Sequence, residues 1–377
     1  MNKLKILFLT SSMQGGGAER VAALLSNAWA RRGHQVELVP TYSMESQCAY
    51  ALDDRVKLTF LFEIIDGHKG RGARLGALRS LIKSSAPDVI ISFLTNVNCA
   101  AILASRGLGI PVIACERNYP PAAERTLPVS YRLLSRLIYR FATALTGQTK
   151  PASDWLRRYA GRATVATIPN PISLPLPVTE PVRPPESLIG TDRKLLLWAG
   201  RLEEQKRPEL AIEAFARIAA PMADWDMVIL GDGGLRTSLE ALIAWHGLSD
   251  RISMPGFVGN AADWYRYADL FAMTSSFEGF PNVLIEAMAH GAPAIAFDVL
   301  TGPREVSDDG RRIMLLPDDN HIGRLENALL TLASNAPERR RLAEAGREVT
   351  DAYSNASVLA MWDDLFARCV PAYRPDW

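Results

Sequence analysis

The sequence predicts two doubly wound α/β domains, on three observations. Short apolar runs alternate with longer amphipathic segments along the 377 residues, as expected for parallel strands joined by helices. A proline- and turn-rich stretch, Pro169-Asn170-Pro171 through Pro184-Pro185 to Gly190, divides the alternation into two series. The length suits two domains better than one. The reading places a first domain at 1–172, a linker at 173–190, a second domain at 191–355 and a terminal helix at 356–377.

The first series opens with Lys5-Ile6-Leu7-Phe8-Leu9-Thr10, a continuous apolar run suited to a strand buried on both faces. A turn with Gly15, Gly16 and Gly17 follows, then a helix over about Glu19–Arg32, stopped by Gly33, and a strand over Gln35–Pro40. Glycines in such a turn let backbone N–H groups approach a phosphate at a helix start. The spacing is not G-x-G-x-x-G, and no acidic residue follows the second strand to hold a ribose, which argues against a dinucleotide site. Further strands fall at Val89–Phe93, Val112–Cys115, Ala144–Gly147 and Val165–Ile168. Gly15–Gly17, Asn96, Glu116-Arg117-Asn118 and Asn170 all follow strand ends, where open parallel sheets bind ligands. The second series has strands at Lys194–Ala199, Met227–Leu230, Ile252–Met254, Leu270–Met273, Pro293–Phe297 and Met314–Leu316. Helices close the chain at about 321–333, 338–351 and 356–369.

Net charge is +1, but the halves differ. Residues 1–172 carry 22 Lys and Arg against 11 Asp and Glu; residues 173–377 carry 20 against 30. The basic half suits an anionic partner, either a membrane surface or a phosphorylated acceptor, and equally an acidic second domain. It lacks the aromatic interleaving of a single-strand nucleic-acid binder. Two of its segments read as basic amphipathic helices. In 71–83, Leu75, Leu78 and Ile82 form a stripe flanked by Arg71, Arg74, Arg79 and Lys83. In 131–142, Arg132, Arg136 and Arg140 line one face and Leu134, Leu137, Ile138 and Phe141 the other. Such helices suit an anionic interface, or cover a sheet with a solvated basic face. No apolar run reaches about 18 residues, so no span is expected. The start runs into a strand without a leader pattern. Four scattered cysteines without a CxxC pair point to reduced thiols and no zinc site. The expected location is the cytoplasm, peripherally on the inner face of the membrane.

The candidate chemistry collects after the strands of the second series. Gly200-Arg201-Leu202 ends its first strand and Lys206 follows, two cations suited to clamp a diphosphate and offset charge on a phosphate leaving group. Gly231-Asp232-Gly233 makes a tight turn after the next strand. Gly302-Pro303-Arg304-Glu305 offers a further glycine turn before a helix. Ser275-Ser276-Phe277-Glu278-Gly279-Phe280-Pro281-Asn282 reads as strand end and turn, with a helix from Asn282 placing Glu286 one turn inside it. Two carboxylates so placed can accept pairs of sugar hydroxyls, or be an ordinary loop and surface pair. Asp224-Trp225-Asp226 spells D-x-D but precedes its strand, at the opposite sheet edge, and reads as a solvated turn. No metal and no cofactor are expected.

Ala199-Gly200-Arg201-Leu202 with Lys206, Gly231-Asp232-Gly233, and Glu278 and Glu286 in Ser-x-x-Glu-Gly-x-Pro resemble the retaining family-four glycosyltransferases of the GT-B kind. Gly15-Gly16-Gly17-Ala18-Glu19-Arg20 is similar to their N-terminal loop. Gly302-Pro303-Arg304-Glu305 resembles a loop of the branch acting on lipid-linked oligosaccharides and surface polysaccharides. The resemblance covers nearly the whole chain. It implies two Rossmann-like domains facing each other across a cleft, with acceptor bound by the first, nucleotide sugar by the second, and the last helix crossing back onto the first. Arg201 and Lys206 would hold the donor diphosphate, Glu286 the ribose and Glu278 the sugar hydroxyls. Gly16, Gly17, Gly200, Gly231, Asp232, Gly233, Gly279, Phe280, Asn282 and Val283 would complete the donor site. Where many relatives carry a histidine after the Val112–Cys115 strand, this chain has Glu116-Arg117. Glu116 is a candidate base or acceptor-orienting group. Arg117, Asn118, Arg71 and Arg74 are candidates for acceptor or lipid phosphate. The implied reaction moves a hexose or N-acetylhexosamine with retention from a nucleotide sugar, by default UDP-linked, to a polyprenyl-diphosphate-linked or polysaccharide glycan. The alternatives are a nucleotide-sugar epimerase or phosphorylase on the same fold, and a non-catalytic nucleotide-sugar-binding subunit.

Overall fold

The computed structural model describes residues 2–65, 70–123, 127–319, 322–371 and 373–374. The chain forms two compact units, 1–171 with Asn355–Trp377, and Ile172–Ser354.

The first unit is built on a seven-stranded parallel sheet: β1 Lys5–Thr10, β2 Gln35–Pro40, β3 Val56–Leu58, β4 Val89–Phe93, β5 Val112–Cys115, β6 Ala144–Gly147 and β7 Thr164–Thr167, in spatial order β3-β2-β1-β4-β5-β6-β7. Ile6 pairs with Val36 on one side and Val89 on the other, so the order reverses beside β1. β1 is buried because helices cover both sheet faces. One face holds Phe8, Trp29 and Phe93 with Trp362 and Phe366 of the Asn355–Cys369 helix. Trp29 meets Trp362 edge-on at 5.4 Å. β3 escapes a sequence reading because three residues at a sheet edge carry too short an alternation.

The second unit has six parallel strands: β8 Lys194–Ala199, β9 Trp225–Leu230, β10 Ile252–Gly256, β11 Leu270–Met273, β12 Ala294–Asp298 and β13 Met314–Pro317, in order β10-β9-β8-β11-β12-β13. Leu196 pairs with Met227 and with Leu270, which puts the reversal between β8 and β11. Crevices open beyond the carboxyl ends of strands at such reversals.

Two expectations are corrected. Residues 173–190 are not a free linker: with Ile172, Leu176 and Ile189 are buried in the second unit's core, the Thr179 N–H donates to Gly259 O at 3.1 Å and the Gly259 N–H to Pro181 O at 2.8 Å, and Asn260 brackets the Arg183 backbone. Prolines mark irregular backbone, and the apolar side chains between them find a sheet-covering surface. The 131–142 segment is an α-helix over Val129–Ile138 followed by a 3-10 turn over Tyr139–Phe141. Its inner face carries Ser135, Ile138 and half-buried Leu134, while Leu137 and Phe141 are 57% and 47% exposed. Four-residue spacing drifts around a helix of 3.6 residues per turn, so a stripe read at i, i+3, i+4 turns partly outward.

Candidate functional site

In the second unit the carboxyl ends of β8 and β11 are stitched together. Trp198 Nε1 donates to Thr274 Oγ1 at 3.0 Å, and the Thr274 hydroxyl donates to the backbone oxygens of Lys206 and Arg207 at 2.9 and 2.8 Å. Gln205 receives the Ser276 N–H at 2.8 Å and gives its Nε2 to Phe277 O at 2.9 Å. Arg207, in the left-handed region at φ 48°, donates to Thr274 O and Ser275 O and pairs with Asp318 at 2.9 Å. Ordinary backbone groups would be orphaned in these two loops; the side chains satisfy them.

This lattice fixes Lys206 against Glu278. Lys206 Nζ lies 2.6 Å from Glu278 Oε1, with the side chains 15% and 5% exposed. Thr301 Oγ1 holds the Glu278 carbonyl from the β12 loop. A Cβ on Gly302, at φ +99°, would sit 2.7 Å from Pro281, so only glycine lets that loop close on the Glu278 turn. Glu286 is buried inside the Asn282–Ala289 helix and receives the Tyr265 hydroxyl at 3.3 Å. Leu284, Ala287 and Met288 face the core, and Val283 is half-buried. The two glutamates are thus neither loose loop nor open surface groups.

Other predicted donor residues differ from expectation. Arg201 is 67% exposed and pairs with Glu203 at 2.8 Å, so the two cations are not equally fixed. The Phe280 side chain is buried and packs edge-on to Tyr353 at 5.5 Å, and its carbonyl accepts the Asn282 N–H at 2.9 Å. Gly231 passes so close to β8 that a Cβ would stand 2.0 Å from Gly200 O. Asp232 is exposed and accepts from the Gly233 N–H at 2.8 Å and from Arg236. Gly279 and Asn282 are half-buried beside Glu278 and at the helix start. Asp224 pairs with Lys194, and Asp226 with Arg193 and Arg251, which ties D-x-D to the start of β9.

In the first unit Glu116 follows β5 and is buried. It accepts the Tyr139 hydroxyl and, at 3.0 Å on each oxygen, the Thr95 hydroxyl. Burial pushes its carboxyl above the usual range, against those donors. Arg117 is also buried, its guanidinium 4.1 Å over the Phe93 ring and bonded to Asn170, and burial lowers it to about 10. It is therefore a wall of the site rather than an open cation, while Asn118 beside it is exposed. The glycine turn is already occupied: Glu19 accepts from Ser12 and from the Gly15 N–H at 3.2 Å, and the Tyr50 hydroxyl meets the Gly16 N–H at 2.7 Å. Gly17 opens the helix that runs to Arg31. Arg74 lies over the Tyr42 ring at 4.7 Å. Arg71 starts the Arg71–Ser85 helix, and its side chain lies outside the described residues.

Residues 16–171 match the model of the glycosyl transferase 4-like domain, and residues 181–349 match that of glycosyl transferases group 1. The chain is a family-four glycosyltransferase of the GT-B fold. It is 28% identical to a Campylobacter jejuni enzyme described as GalNAc-alpha-(1->4)-GalNAc-alpha-(1->3)-diNAcBac-PP-undecaprenol alpha-1,4-N-acetyl-D-galactosaminyltransferase, over 97% of this chain and 98% of that protein. It is 26% identical to the amylovoran biosynthesis glycosyltransferase AmsD of Erwinia amylovora, over 97% and 99%. Among solved structures, Anabaena Alr3699/HepE in complex with UDP and glucose superposes with a TM-score of 0.75 at 19% identity, covering 97% of this chain and 99% of that one.

Sequence reading of this glycosyltransferase missed Gln205, Arg207, Thr274, Tyr265, Thr95 and Tyr139. Each acts by orienting a predicted residue. Arg207 before Pro208 carries a faint signal, since a residue before proline is driven out of the helical region. The others carry none, because their partners are 21 or more positions away.

Proposed function

We propose that this glycosyltransferase moves a hexose or N-acetylhexosamine, with retention of the anomeric configuration, from a UDP-sugar to a hydroxyl of a polyprenyl-diphosphate-linked or polysaccharide glycan. The observation that carries the reading is the fixed Lys206–Glu278 pair with Glu286 at the β8–β11 reversal. UDP and glucose in the Anabaena structure and the lipid-linked acceptor in the Campylobacter relative's name support the donor and acceptor classes.

In this reading the donor diphosphate takes Lys206 over from Glu278, joined by Arg201. Glu278 then turns its oxygens to the sugar hydroxyls, and Glu286 accepts the ribose hydroxyls. The bond from the anomeric carbon to the diphosphate oxygen breaks, and its electron pair leaves with UDP. The acceptor oxygen bonds to the carbon on the same face, and its proton passes to the departing phosphate oxygen. Cations that grow more favourable as that oxygen gains charge lower the barrier. No nucleophilic carboxylate is required, unlike a retaining glycosidase. Glu116, at the base of the acceptor unit, orients the incoming hydroxyl through its hydrogen-bonding network.

The basic unit meets an anionic membrane surface. Val129, Leu133, Leu137 and Phe141 are all exposed at four-residue spacing, and Arg106 and Arg140 flank the Phe141 ring at 4.1 and 5.5 Å. Apolar side chains framed by arginines suit an anionic interface. Among the described residues no helix is long and apolar enough to cross a membrane.

The test is transfer of labelled sugar from a panel of UDP-sugars to undecaprenyl-diphosphate-linked glycans. Labelled lipid product with UDP release supports the reading. Conversion of the donor to its epimer without acceptor, or donor binding with no transfer to any acceptor, overturns it. Co-sedimentation with anionic vesicles at low salt, lost at high salt, tests the surface; no sedimentation at low salt removes it.

A further inference from the structure

The first unit contains a cavity of about 190 Å3 that the reaction above does not use. Its inner wall is apolar: Leu61, Leu78 and Cys99 are almost wholly buried, and Leu75 and Leu134 complete it. Burial pushes the Cys99 thiol up to about 12, so it stays neutral and behaves as a small apolar group. The outer wall is polar. Arg74 stacks on Tyr42 at 4.7 Å, and the Tyr42 hydroxyl lies 3.3 Å from that of Tyr131. Burial raises the Tyr42 hydroxyl, which keeps it a neutral hydrogen-bonding group. A guanidinium held over a ring still has N–H donors with which to grip a phosphate.

We infer that this cavity takes the isoprene unit next to the diphosphate of a lipid acceptor, with Arg74 gripping the adjoining phosphate. The inference rests on the lipid-linked acceptor proposed above. An apolar pocket rimmed by one arginine and two tyrosines matches a short hydrocarbon joined directly to an anion, and matches neither a bare sugar nor a free phosphate. The volume is below the roughly 300 Å3 at which drug-sized sites begin, so it suits one branched five-carbon unit. Two neighbours agree with that occupant. Leu103 lines the cavity and is 37% exposed, so the cavity wall reaches solvent at an apolar side chain. Asn96, also in the wall, follows Thr95, whose hydroxyl binds Glu116. A lipid diphosphate anchored here has its glycan end beside the acceptor-orienting network.

Calorimetric titration of the full chain with methyl, dimethylallyl and geranyl diphosphate tests this without any variant. Dimethylallyl diphosphate should bind on the order of 10- to 100-fold tighter than methyl diphosphate, from burial of its added carbons, and geranyl diphosphate should add little. Equal affinity across the series overturns the inference. Ala100→Phe, which projects a ring from the cavity wall, should bring dimethylallyl diphosphate down to the methyl level. Arg74→Gln should weaken all three about tenfold or more; unchanged affinity in that variant overturns the phosphate contact. A parallel transfer assay separates the two claims. Sugar transfer with a flat alkyl series removes the pocket and leaves the reaction standing. A steep alkyl series with no transfer to any acceptor supports the pocket and removes the reaction.

Discussion

Replacing Lys206 by glutamine separates its structural from its chemical role. Lys206 and Glu278 are largely withdrawn from water at 2.6 Å, so removing the cation strands a buried carboxylate, at a cost of about 3–5 kcal/mol. In a domain of this size that lowers the melting temperature of the second unit by roughly 10 °C. Turnover should fall further than stability explains, by about two to three orders of magnitude, the loss typical when one preorganised charge-stabilising group is removed. The double variant Lys206→Gln with Glu278→Gln supplies the control. Two neutral amides can share a hydrogen bond, so melting recovers most of the way to wild type. Turnover does not, because the leaving diphosphate still lacks its cation and the sugar hydroxyls have also lost the Glu278 carboxylate. Differential scanning calorimetry and initial rates under saturating donor read both effects. If the double variant regains turnover along with stability, or Lys206→Gln alone leaves the rate unchanged, the leaving-group role is refuted.

Three further outcomes follow from the same geometry. Glu286→Ala removes a buried acceptor at the helix and should weaken UDP binding by about 10- to 100-fold, the worth of a charged hydrogen-bonding pair, in a calorimetric titration; an unchanged Kd removes Glu286 from the donor site. Gly231→Ala puts a Cβ at 2.0 Å from Gly200 O and should displace the β8 end, costing donor affinity and several degrees of melting temperature; wild-type values would contradict the close approach. Glu116→Gln tests the buried carboxyl through pH. Burial raises its folded-state pKa above the unfolded value. Its stabilising contribution is therefore complete below the ordinary glutamate pKa of about 4.3 and is lost as pH rises through the folded value. The glutamine variant should gain on wild type as pH rises from about 4 to neutrality; a constant or shrinking difference in melting temperature contradicts the burial argument.

The sheets were legible because their strands are buried on both faces. Gln35–Pro40, Val89–Phe93, Val112–Cys115, Ala144–Gly147, Lys194–Ala199 and Leu270–Met273 are mainly apolar runs whose bounds match the observed strands, since most positions on both faces are buried and few polar residues such as Gln35, Glu37 and Ser92 interrupt them. The edge strand Val56–Leu58 was not legible, and the outward turn of Leu137 and Phe141 was misread, because both depend on what neighbouring elements cover. At the candidate site, spacing places Glu286 one turn inside a helix and Lys206 after a strand. It could not show that Lys206 and Glu278 pair across 72 positions, that Arg117 turns onto Phe93, or that Glu19 and Tyr50 already fill the glycine turn. Apart from the local Glu19 bonds, those are tertiary contacts between residues far apart in the chain, which leave no periodic trace.

The most direct measurement is proton NMR of the anomeric signal in the glycan formed from an α-linked UDP-sugar and a lipid-linked acceptor. A site that drives departure with Lys206 and lets the acceptor enter on the same face predicts an α-linked product with one UDP released per sugar. A β-linked product would contradict it, because inversion needs attack from the opposite face.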